Sequence, residues 1–153
     1  MRLNRRQWLA LAAPLPALAT CAMKPAAAGT THVDLVARPG TAQPRGAAHP
    51  PIEVWSYGGT VPGPVIRAVQ GSRLRVDFRN ELPGPTTVHW HGVRLPNAMD
   101  GVPHLTQPPV PPGGRFVYEF DLPDAGTFWY HSPLRSSGQV GRGLYGALVV
   151  QER

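Results

Sequence analysis

The sequence predicts an all-β protein with a Greek-key β-sandwich fold, and three observations support this class. Apolar and polar residues alternate in several short stretches, as expected for strands with one buried face. Pro-Gly turn sequences separate those stretches at 62–64, 83–85 and 112–114. Residues after 28 show no helical periodicity. Short alternating strands joined by tight turns are typical of two packed antiparallel sheets.

The clearest alternation falls in three segments, residues 52–57, 74–79 and 115–122, which we predict to be strands. In 74–79, apolar and charged residues alternate strictly. The preceding segment, 29–51, is rich in Ala, Pro, Gly and Arg, and only Val33 to Val36 resembles a strand there. We therefore expect a flexible N-terminal segment with one edge strand, followed by a single domain over 52–153.

Residues 1–28 have the pattern of an export signal. Arginines precede an apolar stretch over 8–20, and three alanines at 26–28 form a cleavage pattern. The stretch is too short to cross a membrane, so no transmembrane segment is predicted. Because Arg5 and Arg6 resemble a twin-arginine signal, which exports folded proteins, we expect a periplasmic protein. The alternatives are a lipoprotein box ending at Cys21, which Thr20 matches poorly, and an uncleaved cytoplasmic tail.

Charge and cysteine content give no support for nucleic-acid binding or for disulfide bonds. The formal net charge is +6, but four of the 15 basic residues precede residue 29. The remaining 11 arginines face nine acids and are scattered, which is typical of a solvated surface and gives no support for nucleic-acid binding. The only cysteine is Cys21, so no disulfide is expected in the mature chain.

Two histidine stretches indicate a metal site. Since residues i and i+2 of a strand point to the same face, His89 and His91 place two imidazoles side by side, with Cα atoms roughly 6.5 Å apart. His131 follows another β-type run and offers a third imidazole from a neighbouring strand. Neutral imidazole suits copper, zinc, iron or nickel, and this geometry does not choose among them. The lone histidines His32, His49 and His104 are expected to be ordinary polar residues, and the aromatic residues at 90 and 128–130 mainly packing.

The residues around these histidines resemble the first cupredoxin domain of multicopper oxidases. The resemblance covers about residues 50–152 and holds in order and spacing. The motifs that carry it are His89-Trp90-His91-Gly92, Met99-Asp100-Gly101-Val102-Pro103, Thr106-Gln107, Pro111-Pro112-Gly113, the run from Gly126 to His131, and the run from Gly143 to Val150.

This resemblance implies a cupredoxin-like topology and copper as the cofactor. In that family, His-x-His pairs from the first and last domains enclose a trinuclear copper cluster that reduces O2 to water. By resemblance, His89 is a type 2 copper ligand, His91 and His131 are type 3 ligands, and Asp100 is the acidic residue that manages protons near the cluster.

Two departures from the family pattern limit this interpretation. The family has a second His-x-His where this chain has His131-Ser132-Pro133, and proline has no side-chain donor for a metal. A blue type 1 copper requires a cysteine thiolate, and Cys21 lies in the targeting region. We therefore expect the remaining ligands to come from a second cupredoxin domain or a partner chain, with a homo-oligomer as another source.

Three functional hypotheses follow from these observations. The chain is a domain of a copper oxidase that is inactive when isolated, a non-catalytic exported copper-binding module, or a truncated and decayed gene product. The reducing substrate is not predicted, because in this family it docks near the type 1 copper.

Overall fold

The structure, a computed structural model, describes residues 28–153. The interpretations that depend on Arg5, Arg6 and Cys21 lie outside the described residues. In the part of the chain that is described, no helix is long and apolar enough to span a membrane.

Within residues 28–153, eight strands form two four-stranded sheets, with strand orders β2-β1-β4-β6 and β3-β8-β7-β5. The strands are β1 (Ala28–Ala42), β2 (Ile52–Tyr57), β3 (Ile66–Val69), β4 (Ser72–Asn80), β5 (His89–His91), β6 (Arg115–Asp121), β7 (Gly126–His131) and β8 (Tyr145–Gln151). This arrangement confirms the predicted all-β sandwich.

The three strands predicted from alternation are present as β2, β4 and β6. In β4, Leu74, Val76 and Phe78 are at most 1 % exposed, whereas the charged residues between them are exposed or half-buried. Apolar side chains of one sheet meet those of the other, and this burial drives the two sheets together.

The N-terminal segment differs from the expectation. In place of a short edge strand, β1 spans 15 residues and lies between β2 and β4 in the sheet. Its first part pairs in parallel with β4, and its last part pairs antiparallel with β2. The edge-strand prediction was wrong because this segment contains Gly and Pro, and its position in the sheet depends on pairing with β2 on one side and with β4 on the other. A second parallel pair, β3 with β8, also departs from a purely antiparallel sheet.

A short helix, α1 (Ser136–Gly141), follows β7, and a 3-10 turn covers Asn97–Met99. Neither was predicted from the sequence. Six residues with two glycines are too short to show helical periodicity, and α1 forms in the connection between β7 and β8.

An aromatic cluster between the sheets sets the orientation of β5. Trp90 is fully buried, with its ring centroid 5.6 Å from Tyr118, 5.3 Å from Phe120 and 5.7 Å from Tyr130. The predicted packing role of Trp90 and Tyr130 is confirmed. Because Trp90 points into the core, its strand neighbours His89 and His91 point to the opposite face.

Candidate metal centre

The pairing of β5 with β7 brings the three predicted histidines together. The strands are antiparallel, and His89 lies directly opposite His131. Ring centroids are 5.4 Å apart for His89 and His131 and 5.6 Å apart for His89 and His91. One ligand nitrogen from each ring lies within 4.8 Å of the other two, and among the described residues only these three form such a group.

The spacing of these nitrogens suits a transition-metal ion. Two imidazole nitrogens bound at about 2.0 to 2.1 Å to one ion lie at most about 4.2 Å apart. The Nε2 atom of His131 and the Nδ1 atom of His91 are 3.4 Å apart, so this pair fits around one ion. An all-imidazole donor set is compatible with copper, zinc, iron or nickel.

Asp100 fixes the tautomer of His89. The Nδ1 atom of His89 lies 2.8 Å from the carbonyl oxygen of Asp100 and 3.2 Å from its carboxylate Oδ1. Both oxygens are acceptors, so Nδ1 carries the proton and Nε2 keeps its lone pair for a metal. The predicted acidic residue is therefore next to the histidine cluster.

Gly101 allows Asp100 to come close to His89. Its φ is +76°, and a Cβ atom at this position would overlap the carbonyl oxygen of Val88, the residue before β5. Only glycine lets the backbone after Asp100 come so close to the start of the strand.

Burial and a backbone contact determine the tautomer and the protonation of His131, which is 7 % exposed. Its Nδ1–H donates to the carbonyl oxygen of Ser132 over 3.1 Å, which leaves Nε2 as the free nitrogen. Burial lowers the pKa of His131, and the charges of His89 and His91 lower it further. The neutral imidazole that a metal requires is therefore favoured at neutral pH.

The site lies at the rim of the sandwich beside an exposed tryptophan. Trp129 is 39 % exposed and stacks on His131 with centroids 3.9 Å apart and planes inclined by 21°. Its ring is also 5.1 Å from His91, which is itself exposed. Trp129 was expected mainly to pack, and it packs against two imidazoles at the surface of β7, not inside the core.

Other sequence-predicted residues lie apart from this group. The strand β7 ends at His131, so Pro133 lies two residues beyond the strand. The lone histidines His32, His49 and His104 do not join the cluster among the described residues.

Sequence reasoning missed a set of buried polar residues next to the histidines, Thr86, Ser132 and Gln139. Their side chains are hydrogen-bonded to one another, and we call them the amide network. Thr86 and Gln139 are 53 positions apart, so no local pattern predicts their contact.

Comparison with known proteins identifies the family. A family model described as multicopper oxidase matches residues 37–153. The chain is 40 % identical to multicopper oxidase MmcO of Mycobacterium tuberculosis, covering 89 % of this chain and 30 % of the relative. It is 43 % identical to copper resistance protein A of Pseudomonas syringae pv. tomato, covering 62 % of this chain and 15 % of the relative.

Solved structures agree with this match. The chain is similar to a multicopper oxidase from Pseudomonas thermotolerans, with a TM-score of 0.77, 50 % identity, and coverage of 81 % of this chain and 30 % of that one. The chain thus spans less than a third of the length of these relatives. By the match of its sequence and of its fold, the chain belongs to the multicopper oxidase family, whose cofactor is copper.

Proposed function

We propose that residues 28–153, which include β1 between β2 and β4, form a cupredoxin-like domain that supplies part of a trinuclear copper cluster for O2 reduction coupled to substrate oxidation. The domain therefore begins before residue 52, where the sequence predicted its start. His89 is the type 2 ligand, and His91 and His131 are type 3 ligands. The observation that carries the proposal is the convergence of three imidazole nitrogens within 4.8 Å in a chain of this family.

The chain's own residues prepare the site before any metal binds. Asp100 and the Ser132 carbonyl each hold a histidine proton on Nδ1, so Nε2 of His89 and of His131 is available without rearrangement. The Asp100 carboxylate lies against the His89 ring and is 30 % exposed, which suits a group that passes protons between solvent and the site.

Copper, when bound, supplies one-electron redox chemistry and a binding place for O2. The described residues contain no cysteine for a type 1 centre, and Pro133 offers no ligand. We therefore propose that a second cupredoxin domain or partner chain carries the remaining ligands, and that this chain alone does not turn over substrate. In a homo-oligomer, a second copy of the chain would be an alternative source of further imidazoles, but it would bring no type 1 cysteine after residue 28.

We propose that residues 1–28 direct twin-arginine export to the periplasm. The basis is the pattern of Arg5, Arg6 and the three alanines at 26–28. Mass spectrometry of periplasmic protein should find an N-terminus at Gly29. Full-length protein confined to the cytoplasm would contradict the export proposal, and a lipid on Cys21 would favour the lipoprotein alternative.

The test of copper binding is a competition titration against a chelator of known affinity. The chain is compared with a His89→Ala/His91→Ala variant and with a His32→Ala/His49→Ala control, which also loses two histidines but none from the site. We expect only the first variant to lose copper, while circular dichroism stays unchanged because His91 is exposed and His89 half-buried. Equal copper binding by all three proteins would refute the site.

A second candidate function is a non-catalytic copper-binding module, and the observation that favours it is Pro133 in place of the family's histidine. Oxygen consumption with a phenolic reductant distinguishes the candidates when the chain is mixed with a cupredoxin domain that carries the type 1 ligands and a His-x-His pair. Restored turnover supports the oxidase component, and copper binding without turnover supports the module. Failure of the chain to fold would support a decayed gene product.

A further inference from the structure

We propose that Gln139 is a positioning residue that sets the orientation of the copper-site histidines through the amide network. This inference rests on the proposed function and deepens it. Gln139 lies on α1 and is 6 % exposed. Among the described residues, its side chain forms hydrogen bonds with Pro85, Thr86 and Ser132 and with none of the three histidine rings.

Both the oxygen and the nitrogen of the Gln139 side-chain amide are hydrogen-bonded. Its Oε1 accepts from the hydroxyl of Ser132 over 2.6 Å and from that of Thr86 over 2.8 Å. Its Nε2 donates to the carbonyl of Pro85 over 3.0 Å. Because a carbonyl only accepts, a flipped amide would face Pro85 with oxygen, so one orientation is fixed.

The first link runs from Gln139 to His131 through Ser132. The Ser132 hydroxyl is tied to Gln139 and accepts from the N–H of Leu134 at 3.3 Å, and the Ser132 N–H donates to Leu144 at 3.2 Å. These bonds fix the Ser132 peptide, whose carbonyl accepts the Nδ1 proton of His131. Gln139 therefore controls which nitrogen of His131 faces the other two histidines.

The second link runs to the strand that bears His89. Pro85 and Thr86 lie three or four residues before His89 and lead into β5. Thr86 also exchanges two backbone hydrogen bonds with Val110, at 3.1 and 2.9 Å. A single buried amide thus joins the entry to β5 and the exit from β7, the two segments whose spacing sets the separation of His89 and His131.

The test uses the full chain and two readouts. In the metal-free protein, ¹⁵N NMR of the imidazoles should show His131 protonated on Nδ1, and in Gln139→Leu it should show a mixture of tautomers. Copper affinity, from chelator competition, should fall by about 10- to 100-fold in the variant, as for other residues that orient metal ligands. Ile66→Val, on β3 at the opposite edge of the same sheet, is the control for lost packing and should change neither readout.

A folded Gln139→Leu protein with the wild-type tautomer and copper affinity would overturn the proposal. If that variant does not fold, Ser132→Ala decides by the same readouts, since it removes the hydroxyl link and keeps the carbonyl that faces His131. Failure of the wild-type chain to bind copper would contradict the proposed function, while the tautomer measurement would still test the positioning role.

Discussion

Two polar regions of this molecule contrast sharply in their surroundings. At the copper-site end, Thr86, Ser132 and Gln139 are at most 6 % exposed and are hydrogen-bonded to one another. On the outer face of β4 and β6, an ion-pair ladder is open to water, with side-chain exposures of 34 to 66 %. The ladder consists of Arg73, Arg75, Asp77, Glu119 and Asp121.

This difference in exposure to water decides which polar contacts fix the positions of neighbouring side chains. In the ladder, water replaces any broken contact and screens the charges, so the ion pairs contribute little to structure. The side chains of the amide network are buried, so a broken hydrogen bond there leaves a buried polar group unpaired. We therefore expect substitutions near the histidines to change copper affinity and substitutions in the ladder to leave it unchanged.

The largest expected effect is from Gly101→Ala at the copper-site end. The added Cβ would overlap the Val88 carbonyl, so the backbone must move and carry Asp100 away from His89. We expect a loss of roughly 3 kcal/mol or more in the free energy of unfolding, together with weaker copper binding. Urea denaturation and chelator competition measure the two effects.

Gly113→Ala is the matched control, because its φ of +75° nearly equals that of Gly101 but nothing lies within 4 Å of the added Cβ. Backbone strain alone should cost about 1 kcal/mol there, with no change in copper affinity. Equal losses in both variants would mean that the contact with Val88 does not matter.

Pro133→His is expected to change copper affinity by a smaller amount and to raise it, whereas Gly101→Ala lowers it. The substitution supplies the imidazole that the family has two residues after His131, and an added imidazole should strengthen copper binding by about 1.4 kcal/mol or more, which is tenfold. Competition titration of both proteins, with circular dichroism as the check on folding, measures it. An unchanged affinity would show that the backbone beyond the end of β7 directs residue 133 away from the other histidines.

The smallest change in stability is expected from Arg73→Ala, in the ion-pair ladder. The hydrogen bond from Arg73 lowers the pKa of Asp121, so the pKa should rise towards its ordinary value in the variant. A carboxyl with a lowered pKa stabilises the fold above its unfolded pKa and loses that contribution as the pH falls through its folded pKa. The difference in stability between wild type and variant should therefore disappear in acid.

NMR titration of Asp121 and thermal unfolding at neutral and acid pH test this prediction. Copper affinity should stay at the wild-type value throughout. A lower copper affinity in Arg73→Ala would contradict the expectation that the ion-pair ladder does not affect the histidine site.

The sequence predicts the parts of this molecule that depend on local pattern. Strict alternation in 74–79 predicts β4, and the spacing of His89 and His91 predicts two imidazoles on one face. The order of β1 within its sheet was not predictable in this way, because it depends on pairing with a strand about 40 residues away. Gln139 was missed for the same reason, since its role depends on contacts with Pro85 and Thr86.

We propose above all that His89, His91 and His131 bind copper together, His89 as a type 2 ligand and His91 and His131 as type 3 ligands. Pulsed EPR of the Cu(II)-loaded chain measures it most directly, since it detects the nitrogens of coordinated imidazoles. We predict signals from coordinated imidazole that weaken in His131→Ala and stay at the wild-type level in His104→Ala, whose histidine lies outside the group. Identical spectra from the wild type and from a variant with all three site histidines replaced by alanine would contradict the claim.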